Sequence, residues 1–169
     1  MNEHVLPLDA ETKAAEQPEH HRDELRLWLR LLTCTTLIEG EVRRRLRERF
    51  EVTLPRFDLM AQLDKAPEGL TLSDISKRMM VSNGNMTALV ERLVESGHLA
   101  RRTPQSDRRA QVISLTALGR AEFRAMAAEH EGWIAEMFGE LSRREVEELL
   151  RLLAKTKASA RRAVEGARA

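Results

Sequence analysis

TLSDISKRMMVSNGNMTALVERLVESGHLARRTPQSDRRAQVISLT, residues 71–116, reads as two short helices, a helix stop and a basic hairpin in one unbroken run. Thr71-Leu72-Ser73-Asp74 has the Thr-x-x-acid form of a helix start. It predicts a short helix with Leu72, Ile75 and Met79 on one face. After Met79-Met80-Val81, Ser82 stands where a second helix takes its cap, and Met86, Leu89, Val90, Leu93 and Val94 recur at the spacing of a buried face. Gly97 falls in the position just past a helix end that tolerates left-handed dihedrals. Residues 98–102 and 111–115 then read as two short strands around the polar hairpin 103–108.

Two helices this short do not make a domain alone, and their packing is sensible if the second projects an outer face. That face reads Asn83, Gly84, Asn85, Thr87, Ala88, Glu91 and Arg92, with the cap Ser82 at its start. Asn bonds adenine bidentately in a major groove, and the Thr methyl meets that of thymine. Gly84 removes a side chain where backbone approaches phosphate, and a helix N-terminus attracts an anion. At the hairpin tip, Arg108 and Arg109 suit the negative potential of a minor groove, while Asp107 holds an arginine in place. Within 71–116, seven basic residues stand against four acidic ones, a net +3 where the whole chain carries +1. Charge is thus concentrated on the element that would use it.

Working outward, Leu25, Trp28, Leu29, Leu32, Thr36 and Val42 step at three and four residues, predicting a long helix to about Phe50. Pro55 opens another helix through Phe57, Leu59, Met60 and Leu63, and 65–69 is a loop. Thr116 caps a helix running to about Phe138, and Ser142-Arg143-Arg144-Glu145 is a capping box for a last helix through Leu153, with an Arg/Ala-rich tail after Lys157. The expected organisation is a mobile tail at 1–19, an N-terminal dimerisation helix at 20–54, a winged helix-turn-helix at 55–116, and C-terminal helices completing the dimerisation stem at 117–165. The fold class is mainly α with a small β-hairpin wing.

The whole chain agrees with this class. Its 169 residues are 42% hydrophobic and 33% charged, with 4% aromatics and no Tyr, a helix-forming composition. No apolar run approaches a membrane span and no signal peptide is visible, so a cytoplasmic protein is expected. The single Cys34 excludes an internal disulfide framework or a multi-cysteine metal site. There is no Gly-rich phosphate loop, His-Glu-x-x-His or Gly-x-Ser-x-Gly run, and the five histidines are scattered, so neither an enzyme nor a resident cofactor or metal is expected.

The stretch from Leu72 through Val81-Ser82-Asn83-Gly84-Asn85-Met86-Thr87-Ala88-Leu89-Val90-Glu91-Arg92-Leu93 resembles the helix-turn-helix of the MarR family. Asp107-Arg108-Arg109-Ala110-Gln111-Val112-Ile113-Ser114-Leu115-Thr116 resembles that family's wing, with Asp107 and Arg109 at its paired positions and Arg108 at a variable one. Met80 departs from the small or polar residue usual in the turn. The likeness spans residues 22–160 or so. It implies a homodimeric transcription regulator, in which first and last helices pack together, binding a palindromic site in double-stranded DNA and commonly released as a repressor by a small molecule.

The resemblance also places the family's effector site where dimerisation helices meet the winged domain. Matching positions are Trp28, Leu32, Thr36, Phe57 and Met60, with Trp133 from the following long helix, although apolar residues at helical spacing serve equally as core. The Phe57–Leu63 and Val81–Asn85 stretches look closest to members governing breakdown of aromatic acids, which implies an aromatic acid or its coenzyme A thioester as effector. Arg43, Arg44, Arg45, Arg47 and Arg49 offer charge to such an anion, or form a solvated face laced with Glu39, Glu41 and Glu48. Two alternatives remain open on the residues alone: a helical dimer scaffold without DNA binding, and a thiol sensor at Cys34. The peroxide-sensing branch places its cysteine nearer Leu29 and uses Tyr partners that this chain lacks.

Overall fold

The computed structural model describes residues 23–79, 83–103 and 111–167; for Asn83 it gives the backbone only. The expected tail at 1–19, Ser82 in the interhelical turn and the wing tip with Asp107, Arg108 and Arg109 lie outside the described residues. Element order is α1 (Asp23–Phe50), α2 (Leu54–Asp64), β1 (Leu70–Thr71), α3 (Leu72–Met79), α4 (Asn83–Glu95), β2 (Leu99–Arg102), β3 (Val112–Leu115), α5 (Ala117–Met137) and α6 (Arg143–Gly166). The chain divides into two compact units, one through Glu131 and the other from Gly132.

Local chemistry sets most boundaries. Pro55 sits in the first turn of α2, where its missing N–H costs nothing. Thr71 Oγ1 accepts the Asp74 N–H at 3.2 Å and donates to Asp74 Oδ2 at 2.7 Å, so the expected cap opens α3. Gly97, at φ +77°, lets α4 end with its N–H on Val94 O at 3.0 Å and the His98 N–H on Leu93 O at 2.9 Å. That double bond satisfies two carbonyls that would otherwise be orphaned. Thr116 Oγ1 accepts from Gly119 N–H at 3.0 Å and starts α5. Ser142 and Glu145 form the expected reciprocal box at α6.

Two features differ from the sequence reading. Strand β1 lies just past the expected loop at 65–69 and takes in Thr71, the expected helix start, where the sequence predicts no strand. Leu70 and Thr71 pair antiparallel with Ile113 and Val112, giving a three-stranded sheet in the order β1-β3-β2. A two-residue strand has no periodicity to detect, because its partner lies some forty positions away in sequence. The Arg/Ala-rich segment after Lys157 is helical to Gly166, as Ala and Arg favour.

The core of the first unit joins the winged elements to α2 and α5. Leu59, Met60, Leu63, Ile75 and Val90 are fully enclosed, with Leu46 from α1 among them. Each such side chain stabilises the fold by roughly 1.5–3 kcal/mol. Arg120 on α5 reaches Asp64 at the end of α2 at 3.1 Å. At the opposite extreme, α6 buries no residue, and Leu150, Leu152 and Leu153 lie open. Leu25, Leu27, Trp28 and Leu37 are likewise exposed on α1.

Gly119 marks the tightest junction, since a Cβ there would lie 2.1 Å from the His98 carbonyl oxygen. Gly119→Ala is expected to destabilise by about 3 kcal/mol. Gly40→Ala, within α1 where a Cβ meets nothing within 4 Å, is expected to stabilise by up to about 1 kcal/mol. Chemical denaturation of the two variants checks the opposite signs.

Candidate nucleic-acid interface

Helix α4 has a buried face and an open one. Met86, Val90 and Leu93 are enclosed, whereas Gly84, Asn85, Ala88, Glu91, Arg92 and Glu95 are exposed. At 100° per residue, Gly84, Ala88, Glu91 and Glu95 form the outermost stripe, and Asn85 and Arg92 sit together on one edge. Thr87 lies on the opposite flank and is half-buried. Of the expected contact residues, the structure therefore brings Gly84, Asn85 and Arg92 to one accessible surface and turns Thr87 partly inward. Nothing covers the outer stripe among the described residues.

Polar contacts fix α4 against the wing. Arg101 on β2 lies 3.9 Å from Glu91, and Arg102 donates to Glu68 O at 2.9 Å across the sheet edge. Arg92 Nε donates to Ala88 O at 3.2 Å, which lays the guanidinium along the helix. No carboxylate pairs with Arg92 among the described residues.

Beside the Asn85–Arg92 edge lies a groove of about 720 Å³ that sequence reasoning did not find. Its floor is apolar, with Leu54, Pro55, Met79, Met86, Leu89 and Leu93. Arg43 and Arg47 of α1, Arg56 of α2 and Arg92 of α4 line it, against the single carboxylate of Glu51. The arginine run of α1 divides. Arg44 bridges Glu41 and Glu48, and Arg45 reaches Glu41 at 2.6 Å, so these two belong to a solvated ion-pair face. Hydrogen bonds from Arg44 and then Arg45 hold the Glu41 carboxyl down at about 2. Arg43 pairs with Glu39 on the same helix, and Arg47 has no carboxylate partner among the described residues. Nε of Arg56 is buried without a hydrogen-bond partner there. The signal that could have found the groove was the four-residue spacing of Arg43 and Arg47 on one helical face, but Arg56 gave none.

The six positions matched to an effector site are placed differently from this groove, and none lines it. Trp28 is exposed, while Leu32 and Thr36 are half-buried, with Thr36 Oγ1 donating to Leu32 O at 2.8 Å. Phe57 and Met60 are core; Phe57 packs against Phe123 at 5.5 Å and His130 at 4.9 Å between ring centroids. Trp133 is buried. Cys34 is exposed on α1.

Packing two helices behind an open third, with a small sheet at its side, defines a winged helix-turn-helix protein. Residues 50–110 match the MarR family model. The transcriptional activatory protein BadR of Rhodopseudomonas palustris is 26% identical over 145 residues, covering 84% of this chain and 82% of its own. A MarR family regulator from Silicibacter pomeroyi superposes with a TM-score of 0.69 at 29% identity, over 82% of this chain and 95% of that one. The S. aureus MepR–DNA complex shares the fold, with a TM-score of 0.65 at 22% identity over 74% and 91% of the two chains. The chain is thus similar to MarR-family proteins, and the relatives it matches are transcription regulators rather than enzymes.

Sequence reasoning also passed over Asp58, on α2 near His130 and Glu39. Burial, reinforced by the Glu39 carboxylate and opposed by His130, pushes its carboxyl up; burial, opposed by Asp58, pulls His130 down. A raised acid favours folding only while protonated, and that contribution is lost as pH rises through its folded-state value. Asp58→Asn is therefore expected to raise Tm slightly at pH 7, the exposed part of the carboxylate limiting the effect, with the gain disappearing below about pH 4. Thermal melts of both proteins across that range check it.

Proposed function

We propose that this chain is a sequence-specific DNA-binding transcription regulator that works as a homodimer on a palindromic operator and is released from it by a small anionic effector. The observation that carries the reading is α4, buried on one face and open on the other, with Asn85 and Arg92 on its accessible edge and the basic strand β2 at its side. A helix held this way fits a major groove, and the residues expected at the wing tip, Asp107, Arg108 and Arg109, would follow the neighbouring minor groove. The MepR–DNA complex shares this fold.

Dimerisation is supported by the apolar surface left open on each unit. Leu25, Trp28 and Leu37 on α1, and Leu150, Leu152 and Leu153 on α6, are too many for a lone chain to leave in water. A second copy covers such faces and sets two recognition helices about 34 Å apart, one turn of duplex. Release by a ligand makes the chain a repressor where its site blocks transcription; the BadR relative is named for activation, so the mode belongs to the operator as much as to the protein. No helix among the described residues is long and apolar enough to cross a membrane, which accords with work on cytoplasmic DNA.

For the effector, an aromatic carboxylic acid or its coenzyme A thioester, the groove beside α4 offers better chemistry than the six stem positions. Its apolar floor takes a ring, and Arg47 and Arg92 offer charge to an anion, while Arg56 is held by Glu122. An effector there must bind free protein more tightly than DNA-bound protein in order to displace DNA.

Operator binding is tested on DNA upstream of the protein's own gene, by mobility shift at two salt concentrations. Wild type is expected to bind with a steep salt dependence. Arg92→Ala and Arg109→Ala should each weaken binding about tenfold and lower the salt slope by about one. Absence of any preferred sequence in a randomised pool would overturn the reading. Separately, a thermal-shift screen of aromatic acids and their thioesters should find a ligand whose stabilisation is lost in Arg47→Ala; no shift at millimolar ligand would remove the effector assignment.

A further inference from the structure

His98 stands between the last residue of α4 and the first of β2, with its ring buried and both nitrogens engaged. Nδ1 lies 2.8 Å from Ser96 Oγ, and Nε2 lies 2.7 Å from Glu122 Oε2. Ser96 Oγ in turn is 3.3 Å from the carbonyl oxygen of Leu93, in the last turn of α4. From α2, an Arg56 Nη2 reaches the same corner, 3.1 Å from His98 Nε2 and 3.5 Å from Glu122 Oε2.

Counting hydrogens decides how this chain works. A carboxylate only accepts, so Nε2 carries a proton toward Glu122. Arg56 only donates, so its useful contact is with that carboxylate and not with a protonated Nε2. In the neutral ring Nδ1 is then a lone pair, and it takes the single Ser96 hydroxyl hydrogen away from Leu93 O. In the imidazolium, Nδ1–H donates to Ser96 Oγ, and the hydroxyl hydrogen is free for Leu93 O. Protonation thus completes a continuous chain from Glu122 through His98 and Ser96 to the recognition helix, adding one hydrogen bond.

We propose that His98 is a positioning residue for α4, and that its protonation tightens the C-terminal lock of the recognition helix. The lock is a property of the free protein; its effect on operator affinity rests on the DNA-binding reading above. Because histidine is the residue type whose charge changes nearest neutrality, the lock is compared at a mildly acidic and a mildly basic pH.

The test pairs wild type with Ser96→Ala and His98→Gln. Ser96→Ala keeps the His98–Glu122 pair and removes only the relay. Amide hydrogen exchange of free protein, corrected for intrinsic rates, should show Gly97 and His98 protection about fivefold higher at pH 6 than at pH 8 in wild type, the scale of one hydrogen bond. Both variants should lose that difference. If Ser96→Ala keeps it in full, His98 is merely half of a structural ion pair and the proposal fails. Operator affinity measured at the same two pH values should follow the same pattern, the wild-type gain exceeding that of either variant about fivefold. Equal gains in all three proteins would overturn the coupling to DNA. Failure of all three to bind any sequence would overturn the regulator reading instead, while the exchange result still decides the lock.

Discussion

One backbone carbonyl, that of His98, holds the winged domain together. It accepts the Thr116 N–H at 3.0 Å, and the Thr116 hydroxyl, which donates to Gly97 O at 2.7 Å, lies 3.1 Å from it. The backbone of Gly119 comes so close to the same oxygen that no side chain fits between. Three elements meet there: the end of α4, the start of β2 and the first turn of α5. A buried carbonyl must find donors, and here the donors come from the next helix's own cap, so the sheet and α5 cannot shift without breaking the stop of α4.

What this junction achieves is an α4 fixed by its ends and its inner face while its outer surface stays bare. The Schellman-type stop, the Leu93–Met86–Val90 stripe and the Arg101–Glu91 contact all act from behind or from the side. A reading helix needs that arrangement, because base contacts are lost when a side chain wanders by an ångström, and phosphate contacts alone carry no sequence information. The cationic groove adjoins the same helix through Asn85 and Arg92, so any occupant of it touches the element that is otherwise held still.

Much of this was legible in the chain, because helix boundaries are written locally. Thr71 with Asp74, Thr116, Ser142 with Glu145, Pro55 and Gly97 each act within four residues of themselves, and each stands where the sequence places it. The exposed edge of α4 followed from periodicity alone. What stayed hidden depends on distant partners. Strand β1 exists only because β3 is there to pair with it, and the His98 cluster gathers residues 42 and 24 positions away. The groove needs four helices to close around it. Phe57 and Met60 show the other difficulty, since apolar residues at helical spacing look the same whether they line a site or fill a core, and here both are core.

The ion pairs of α1 have a consequence for how the chain comes to be folded. Glu39–Arg43, Glu41–Arg44, Glu41–Arg45 and Arg44–Glu48 all lie within one helix, and in three of them the acid precedes the base, the favoured orientation. Only Thr33, Val42 and Leu46 of its 28 residues are buried in the described structure. Such a segment is long enough to sustain helix from its own contacts, so it retains helical bias in the denatured ensemble. As the polypeptide leaves the ribosome, α1 is presented already biased to its final shape before β3 has been made. The winged domain must wait for that strand, and so it is the later and slower part of the molecule to form.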